Sequence, residues 1–89
     1  MKNLVNGPKF AELFRKHWIH HSYNYLKLAV EEFCNKYPQF RYNPESLDTF
    51  EVHHGNFTKE TLMDIIKLIS LTQPDEIECT TKYLRLWWD

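Results

Sequence analysis

The sequence predicts an α+β fold in which two N-terminal helices pack on a small sheet of two or three strands. Apolar residues recur at helical spacing before Pro38, and they alternate as in a strand over residues 47–54 and again near the C-terminus. A further helical stripe lies between these two predicted strands, so the C-terminal half is predicted to form a strand-helix-strand unit. We expect the 89 residues to form a single compact domain, 1–89.

The N-terminal helical region is predicted to begin at Asn6-Gly7-Pro8 and to end near Lys36, which the helix-terminating pair Tyr37-Pro38 follows. Its apolar stripe changes face along the way. The first stripe contains Phe10, Leu13, Phe14, His17 and His21. The second, on the opposite face, contains Leu26, Ala29, Val30, Phe33 and Tyr37.

This change of face predicts two helices rather than one. A single helix over residues 8–36 would be about 44 Å long, whereas a compact domain of this size is about 31 Å across. We therefore predict a break between His20 and Asn24, with Ser22 capping the second helix. The alternative is one long helix that protrudes toward a partner.

The remaining elements follow from alternation and turn chemistry. Phe40-Arg41-Tyr42 is predicted to be a short extended segment, and Phe50 and Val52 face one side of the strand over residues 47–54. Thr58 is predicted to cap a helix that runs to about Leu71. The apolar stripe of that helix contains Leu62, Ile65, Ile66 and Ile69. We expect Ile66, like Phe33, to lie in the core.

Residues 76–88, EIECTTKYLRLWW, are predicted to form one strand with apolar residues in both phases. A sheet this small has unpaired edges, which can accept a strand from a second copy or from a target. We therefore expect Arg85, Trp87 and Trp88 to belong to an interaction surface, with homodimerisation through an edge strand as one outcome.

The charge is unevenly distributed, although the net charge is only −1. Residues 1–44 hold seven Lys/Arg and three Glu, and residues 45–89 hold four Lys/Arg and nine Asp/Glu. The sequence has neither a signal-peptide pattern nor an apolar run of membrane-spanning length, so we expect a cytoplasmic protein that does not enter membranes. Cys34 and Cys79 are then expected to be free, buried thiols.

The histidine-rich stretch RKHWIHHSYNY raises the question of a metal site. His17 and His21 are spaced so that both rings can project from one helix face. His20 is an alternative ligand, and His53, His54 or Cys34 could complete the site. However, the chain has no CxxC pair, and these histidines fall in the apolar stripe. We expect no metal and no cofactor; if a metal is bound, its ligands should be His17, His21 and Cys34.

Enzymatic activity has one motif in its favour. The spacing from Arg15 to His20 resembles the Arg-x4-His motif of the HEPN nucleases over six residues. Lys16 differs from the residue usual in that motif, and the predicted strands differ from that all-helical fold. The chain also has no glycine-rich phosphate loop and no nucleophile motif. We expect a protein without enzymatic activity.

Two binding functions remain. Our second choice is single-stranded nucleic acid, held through phosphate contacts and base stacking by basic and aromatic residues of the first half: Lys9, Arg15, Lys16, Lys27, Lys36 and Arg41 with Trp18, Tyr23 and Tyr25. For a protein partner, we expect Arg15, Lys16, Trp18 and Tyr23 to belong to the interaction surface together with Arg85, Trp87 and Trp88. The 16% aromatic content is more than a small core needs, and Trp, Tyr and Arg commonly anchor protein interfaces. We therefore predict a small protein-binding module. In character it resembles phage or mobile-element accessory proteins such as anti-CRISPR inhibitors, which occlude a surface of their target.

Overall fold

The computed structural model describes residues 3–17, 24–45 and 49–88. Three helices and four strands account for most of these residues. The helices are α1 (Gly7–His17), α2 (Asn24–Lys36) and α3 (Lys59–Thr72). The strands are β1 (Arg41–Tyr42), β2 (Thr49–His53), β3 (Glu76–Cys79) and β4 (Leu84–Trp87). The predicted α+β class is confirmed.

The four strands form one sheet in the order β1-β2-β4-β3, and every neighbouring pair is antiparallel. Strands β2 and β3 are therefore parallel to each other, with β4 inserted between them. The connection β2-α3-β3 is the predicted crossover unit. The sheet is larger than the two or three strands expected from the sequence.

The additional strand arises because residues 76–88 form a hairpin rather than the single strand predicted. The reversal uses a threonine in place of the glycine or asparagine that usually marks a hairpin turn. The Thr80 Oγ1 accepts hydrogen bonds from the backbone N–H groups of Lys82 and Tyr83, at 3.2 and 3.0 Å. A side-chain hydroxyl thus stabilises the turn locally.

Helices α1 and α2 are antiparallel neighbours. The Arg15 Nε lies 2.8 Å from the Glu31 Oε1, although sixteen residues of continuous helix would separate them by about 24 Å. The chain therefore reverses between the two helices, as the change of face predicts. The predicted position of the break, between His20 and Asn24, and the predicted cap at Ser22 lie outside the described residues.

Side-chain caps begin two of the helices. The Asn6 Oδ1 accepts a hydrogen bond from the Lys9 N–H at 2.9 Å, and the Thr58 Oγ1 accepts one from the Thr61 N–H at 3.2 Å. The cap predicted at Thr58 is confirmed, and α3 ends at Thr72, one residue beyond the predicted end. Both caps satisfy N–H groups that have no partner within the helix.

The core lies between the three helices and one face of the sheet. Phe33 is buried, as predicted, and its ring lies edge-on to that of Phe50 with the centroids 5.9 Å apart. Phe50 and Val52 are fully buried on the same face of β2. Their partners in β4 are Leu86 and Leu84, which are equally buried. The alternation predicted for β2 is thus confirmed.

The prediction that Ile66 belongs to the core is wrong, since its side chain is 63% exposed. The preceding residue, Ile65, is buried instead. Helix α3 is rotated so that Thr61 and Thr72 face inward, where each hydroxyl makes a hydrogen bond, to the Thr58 Oγ1 and to the Leu68 carbonyl oxygen respectively. A purely apolar criterion could not identify a face that includes two satisfied threonines.

The opposite face of the sheet carries polar and aromatic residues, and no described helix packs against it. Glu51, in the middle of this face, is buried and its Oε1 lies 2.8 Å from the His53 Nε2. The His53 ring packs edge-on to Tyr83 with the centroids 5.0 Å apart. None of the described helices is both long enough and apolar enough to cross a bilayer.

Candidate protein-binding surface

The three helices lie side by side across the sheet. Helix α1 contacts β1 and α2, and α2 contacts α3, so that α3 lies on the side of the sheet away from β1. The segment before α3 and the last residue of α3 are both hydrogen-bonded to the C-terminal hairpin or its end. The Phe57 N–H donates to the Thr81 carbonyl oxygen at 3.0 Å, and the Trp88 Nε1 donates to the Thr72 carbonyl oxygen at 3.0 Å. Helix α3 therefore runs along β3 and β4.

One side of α3 faces α2, and Asp64 identifies it. The Asp64 carboxylate accepts a hydrogen bond from the Tyr37 hydroxyl and lies 2.8 Å from the Lys36 Nζ. Leu62 and Ile66 are two residues before and after Asp64, so they project on roughly the opposite side of the helix. They are 36% and 63% exposed, and Met63 beside them is 62% exposed. The side of α3 away from α2 is thus apolar and open to solvent.

Strand β3 forms the free edge of the sheet on this same side. All four of its residues are exposed, and no described strand pairs with its outer edge. The prediction of a buried thiol at Cys79 is therefore wrong, whereas Cys34 is buried. Ile77 pairs with Leu86, which places its side chain on the helix-covered face, and it is 48% exposed. The opposite edge differs, since Val5 exchanges backbone hydrogen bonds with Tyr42 at 2.9 and 2.8 Å.

We call this region the β3 margin and define it as Leu62, Met63 and Ile66 of α3 together with strand β3. It joins an exposed apolar helix side to an unpaired strand edge. Exposed apolar side chains are a common feature of binding sites, because burying them in a complex removes them from water. An unpaired edge adds backbone donors and acceptors to the same site.

The β3 margin is acidic on the open face of the sheet. The Arg85 Nη1 lies 3.1 Å from the Glu76 Oε1 and 3.5 Å from the Glu78 Oε1. The hydrogen bond to Glu76 raises the pKa of Arg85 above its ordinary value. Two carboxylates therefore share one guanidinium, and both are more than half exposed. A net negative charge remains at the edge.

Two of the site residues predicted from the sequence lie on α1, away from this margin. Arg15 and Lys16 are exposed, and each lies near a carboxylate: Arg15 hydrogen-bonds Glu31, and the Lys16 Nζ is 3.7 Å from the Glu12 Oε1. The hydrogen bond to Glu31 raises the pKa of Arg15. Trp18 and Tyr23 lie outside the described residues, so the structure does not place them relative to this pair.

The three C-terminal site residues occupy different environments. Arg85 and Trp87 are partly exposed on the open face, in a strand that is paired on both sides. Trp88 is 5% exposed and its indole N–H is hydrogen-bonded to Thr72. The prediction that the C-terminal strand lies at an edge of the sheet is therefore wrong. Strand β4 is central, because the hairpin places β3 outside it.

The two proposed metal ligands that the structure describes, His17 and Cys34, lie far apart. Gly7 packs against the Cys34 carbonyl oxygen, and His17 is ten residues further along α1, about 15 Å away. His17 is exposed, so its predicted place in the apolar stripe is wrong. Cys34 is fully buried, which raises the pKa of its thiol. His21 lies outside the described residues, and the described ones contain no group of three metal-binding side chains.

A groove of about 130 Å³ lies between α2 and α3, on the side of α3 away from the β3 margin. Its apolar floor includes Phe33 and Leu68, and the Lys36–Asp64 ion pair lines it. Pockets for drug-sized ligands usually measure about 300–1,000 Å³, so this groove is small for a cofactor or substrate.

No family model, curated protein or solved structure matches this chain. The candidate surface therefore rests on geometry alone. The sequence patterns did not predict its central features, the exposed Ile66 and the β3 edge. The alternation Glu76-Ile77-Glu78-Cys79 does indicate a strand with two carboxylates on one face. The turn that ends this strand is made by a threonine, so no glycine or asparagine marks it in the sequence.

Proposed function

We propose that this chain is a non-enzymatic protein-binding module that occludes a surface of its target through the β3 margin. The observation that carries the proposal is the joint exposure of an apolar helix side and an unpaired strand edge on one side of the domain. We propose further that it acts in the cytoplasm. The accessory or inhibitor role expected from the character of the sequence stays a prediction.

The basic residues of the N-terminal helices favour a protein over a nucleic acid as the partner. Arg15 and Lys36 lie 2.8 Å from the carboxylates of Glu31 and Asp64, and Lys9 and Lys16 are near Glu12. Side chains occupied in this way have less positive charge to offer a phosphate backbone. The edge strand itself carries carboxylates, which repel phosphate.

Affinity capture from the cells in which the protein acts, with matched surface variants, tests the proposal. Ile66→Glu places a charge in the apolar part of the β3 margin, whereas Leu28→Glu does the same on α2, where Leu28 is 64% exposed. Both variants should fold like the parent, because each position is on the surface. The proposal predicts a captured protein that the parent and Leu28→Glu retain and that Ile66→Glu loses.

Circular dichroism melting curves must first show equal folded fractions for the three proteins. If Ile66→Glu retains the captured protein, or if both variants lose it equally, the β3 margin is not the binding surface. If the captured material is nuclease-sensitive and its binding falls steeply with salt, the protein is a nucleic-acid binder instead.

A further inference from the structure

We infer that the partner contributes an extended segment that adds to β3 as a fifth strand and that alternates basic with apolar side chains. This inference rests on the proposed function and specifies its partner. It follows from three features of β3: the direction of its outer backbone groups, the difference between its two faces, and its charge.

The backbone direction follows from the hairpin. The Thr80 N–H donates to the Tyr83 carbonyl oxygen at 2.8 Å, so Thr80 and Tyr83 face each other as a hydrogen-bonded pair. Such pairs alternate along an antiparallel ladder, and Cys79, paired with Leu84, is therefore of the other kind. Its N–H and C=O point away from β4, toward the free edge. A strand added there would exchange backbone hydrogen bonds with alternate residues of β3, donating to their C=O groups and accepting from their N–H groups.

The two faces of β3 would be complementary to different side chains of the added strand. Toward the helices, Ile77 presents an apolar side chain that is 48% exposed. Toward the open face, Glu76 and Glu78 present two carboxylates, and both pair with the single guanidinium of Arg85. Cross-strand neighbours of opposite charge stabilise a sheet, and like charges destabilise it. The fitting strand has apolar residues on one face and Lys or Arg on the other.

The same charges oppose pairing with a second copy of this chain. Two β3 strands paired antiparallel around Ile77 would place Glu76 of one copy opposite Glu78 of the other. Pairing around Glu78 would place the two Glu78 side chains opposite each other. A slip by one residue would instead place Ile77 on the charged face. Short edge strands with charged residues are a common means of preventing self-association, so a basic segment of another protein is the occupant that the charges favour.

A synthetic peptide provides the probe. We propose titrating the isotope-labelled full chain with acetylated, amidated peptides of six residues that alternate lysine with valine or glutamate with valine, and following the backbone amides by nuclear magnetic resonance. The lysine peptide should shift the amides of residues 76–79, and the glutamate peptide should not. In the Glu76→Gln/Glu78→Gln double variant, affinity for the lysine peptide should fall about two- to fivefold for each carboxylate, the range for exposed ion pairs.

The backbone part of the inference is tested separately. Cys79→Pro removes an N–H that points to the free edge, a position where an edge strand tolerates proline, and Cys79→Ser retains it. The serine variant should bind the lysine peptide like the parent, and the proline variant should bind at least several-fold more weakly. Melting curves of both variants show whether each is folded. If Cys79→Pro is unfolded, the inference is decided by the Glu76→Gln/Glu78→Gln variant and the two peptides.

The inference is overturned if the lysine peptide fails to shift the β3 amides, if the glutamate peptide binds as tightly, or if Cys79→Pro binds as well as Cys79→Ser. These results are distinct from failure of the proposed function. If Ile66→Glu alone loses the captured protein but the lysine peptide does not bind β3, the β3 margin remains the proposed binding surface and strand addition is rejected.

Discussion

The indole N–H of Trp88 donates a hydrogen bond to the backbone carbonyl oxygen of Thr72, at 3.0 Å. Thr72 is the last residue of α3, whose final carbonyl groups have no partner within the helix. The C-terminal tryptophan therefore caps α3 and fastens it to the end of β4. This contact holds the C-terminal end of α3 beside the end of β4.

Removal of Trp88 should destabilise the domain strongly. Trp88→Ala is expected to lower the free energy of unfolding by about 3–5 kcal/mol, as for other buried aromatic residues. Trp88→Phe keeps most of the apolar contact but leaves the Thr72 carbonyl oxygen without its donor, at a cost of about 1–3 kcal/mol. Trp87→Ala, on the half-buried neighbour, should cost less than Trp88→Ala. Equal losses for Trp87→Ala and Trp88→Ala in chemical denaturation would contradict this assignment.

Two adjacent isoleucines test the rotation of α3. Ile65 is 2% exposed and Ile66 is 63% exposed, so the same substitution should have very different effects. Ile65→Ala is expected to lower the free energy of unfolding by about 2–5 kcal/mol. Ile66→Ala should change it by less than about 0.5 kcal/mol, as at ordinary surface positions. The measurement is urea denaturation of both variants, and the reverse order would mean that the helix is rotated as the apolar stripe alone predicts.

Gly7 tests the close approach of α1 to α2. A Cβ at this position would collide with the Cys34 carbonyl oxygen, which is backbone and cannot rotate away. Gly7→Ala should therefore lower the free energy of unfolding by about 1–3 kcal/mol, although alanine is the better helix former. Lys9→Ala, at an exposed position two residues along the same helix, serves as the control. A Gly7→Ala variant more stable than the parent would show that the two helices are further apart.

The cluster of Lys36, Tyr37 and Asp64 predicts a dependence of stability on acid pH. The hydrogen bond from Lys36, and then that from Tyr37, lowers the pKa of Asp64 below its ordinary value. A group with a lowered pKa in the folded state contributes stability that is fully present above its unfolded pKa, about 3.9, and is lost as the pH falls through the folded value. Asp64→Asn should therefore lower stability at pH 7 and flatten its decline below about pH 4.

Unfolding free energies of the parent, Asp64→Asn, Lys36→Met and the double variant, measured from pH 7 to pH 3, check this. The effect at pH 7 should be modest, below about 1 kcal/mol, because the pair is partly exposed. The double variant should lose little more than either single variant. An unchanged acid slope in Asp64→Asn would assign the acid sensitivity to other carboxylates.

Local sequence patterns determined the class of fold and most of its elements. The cap at Thr58, the end of α2 near Lys36 and the alternation of Phe50 and Val52 each depend on neighbouring residues, and the structure has all three. The change of face between Phe14 and Leu26 implied a reversal of the chain, because a compact domain cannot accommodate the longer helix.

Tertiary structure decided the rotation of α3, the order of the strands and therefore the candidate site. The periodicity of α3 permits several apolar faces, and in the packed domain Thr61 and Thr72 face inward while Ile66 is exposed. Nothing in residues 84–88 indicates that the last strand is central. The central position of β4 requires pairing with β3 in the hairpin and with β2, which lies far away in the sequence. The pairing with β2 is a property of the folded chain rather than of any local segment.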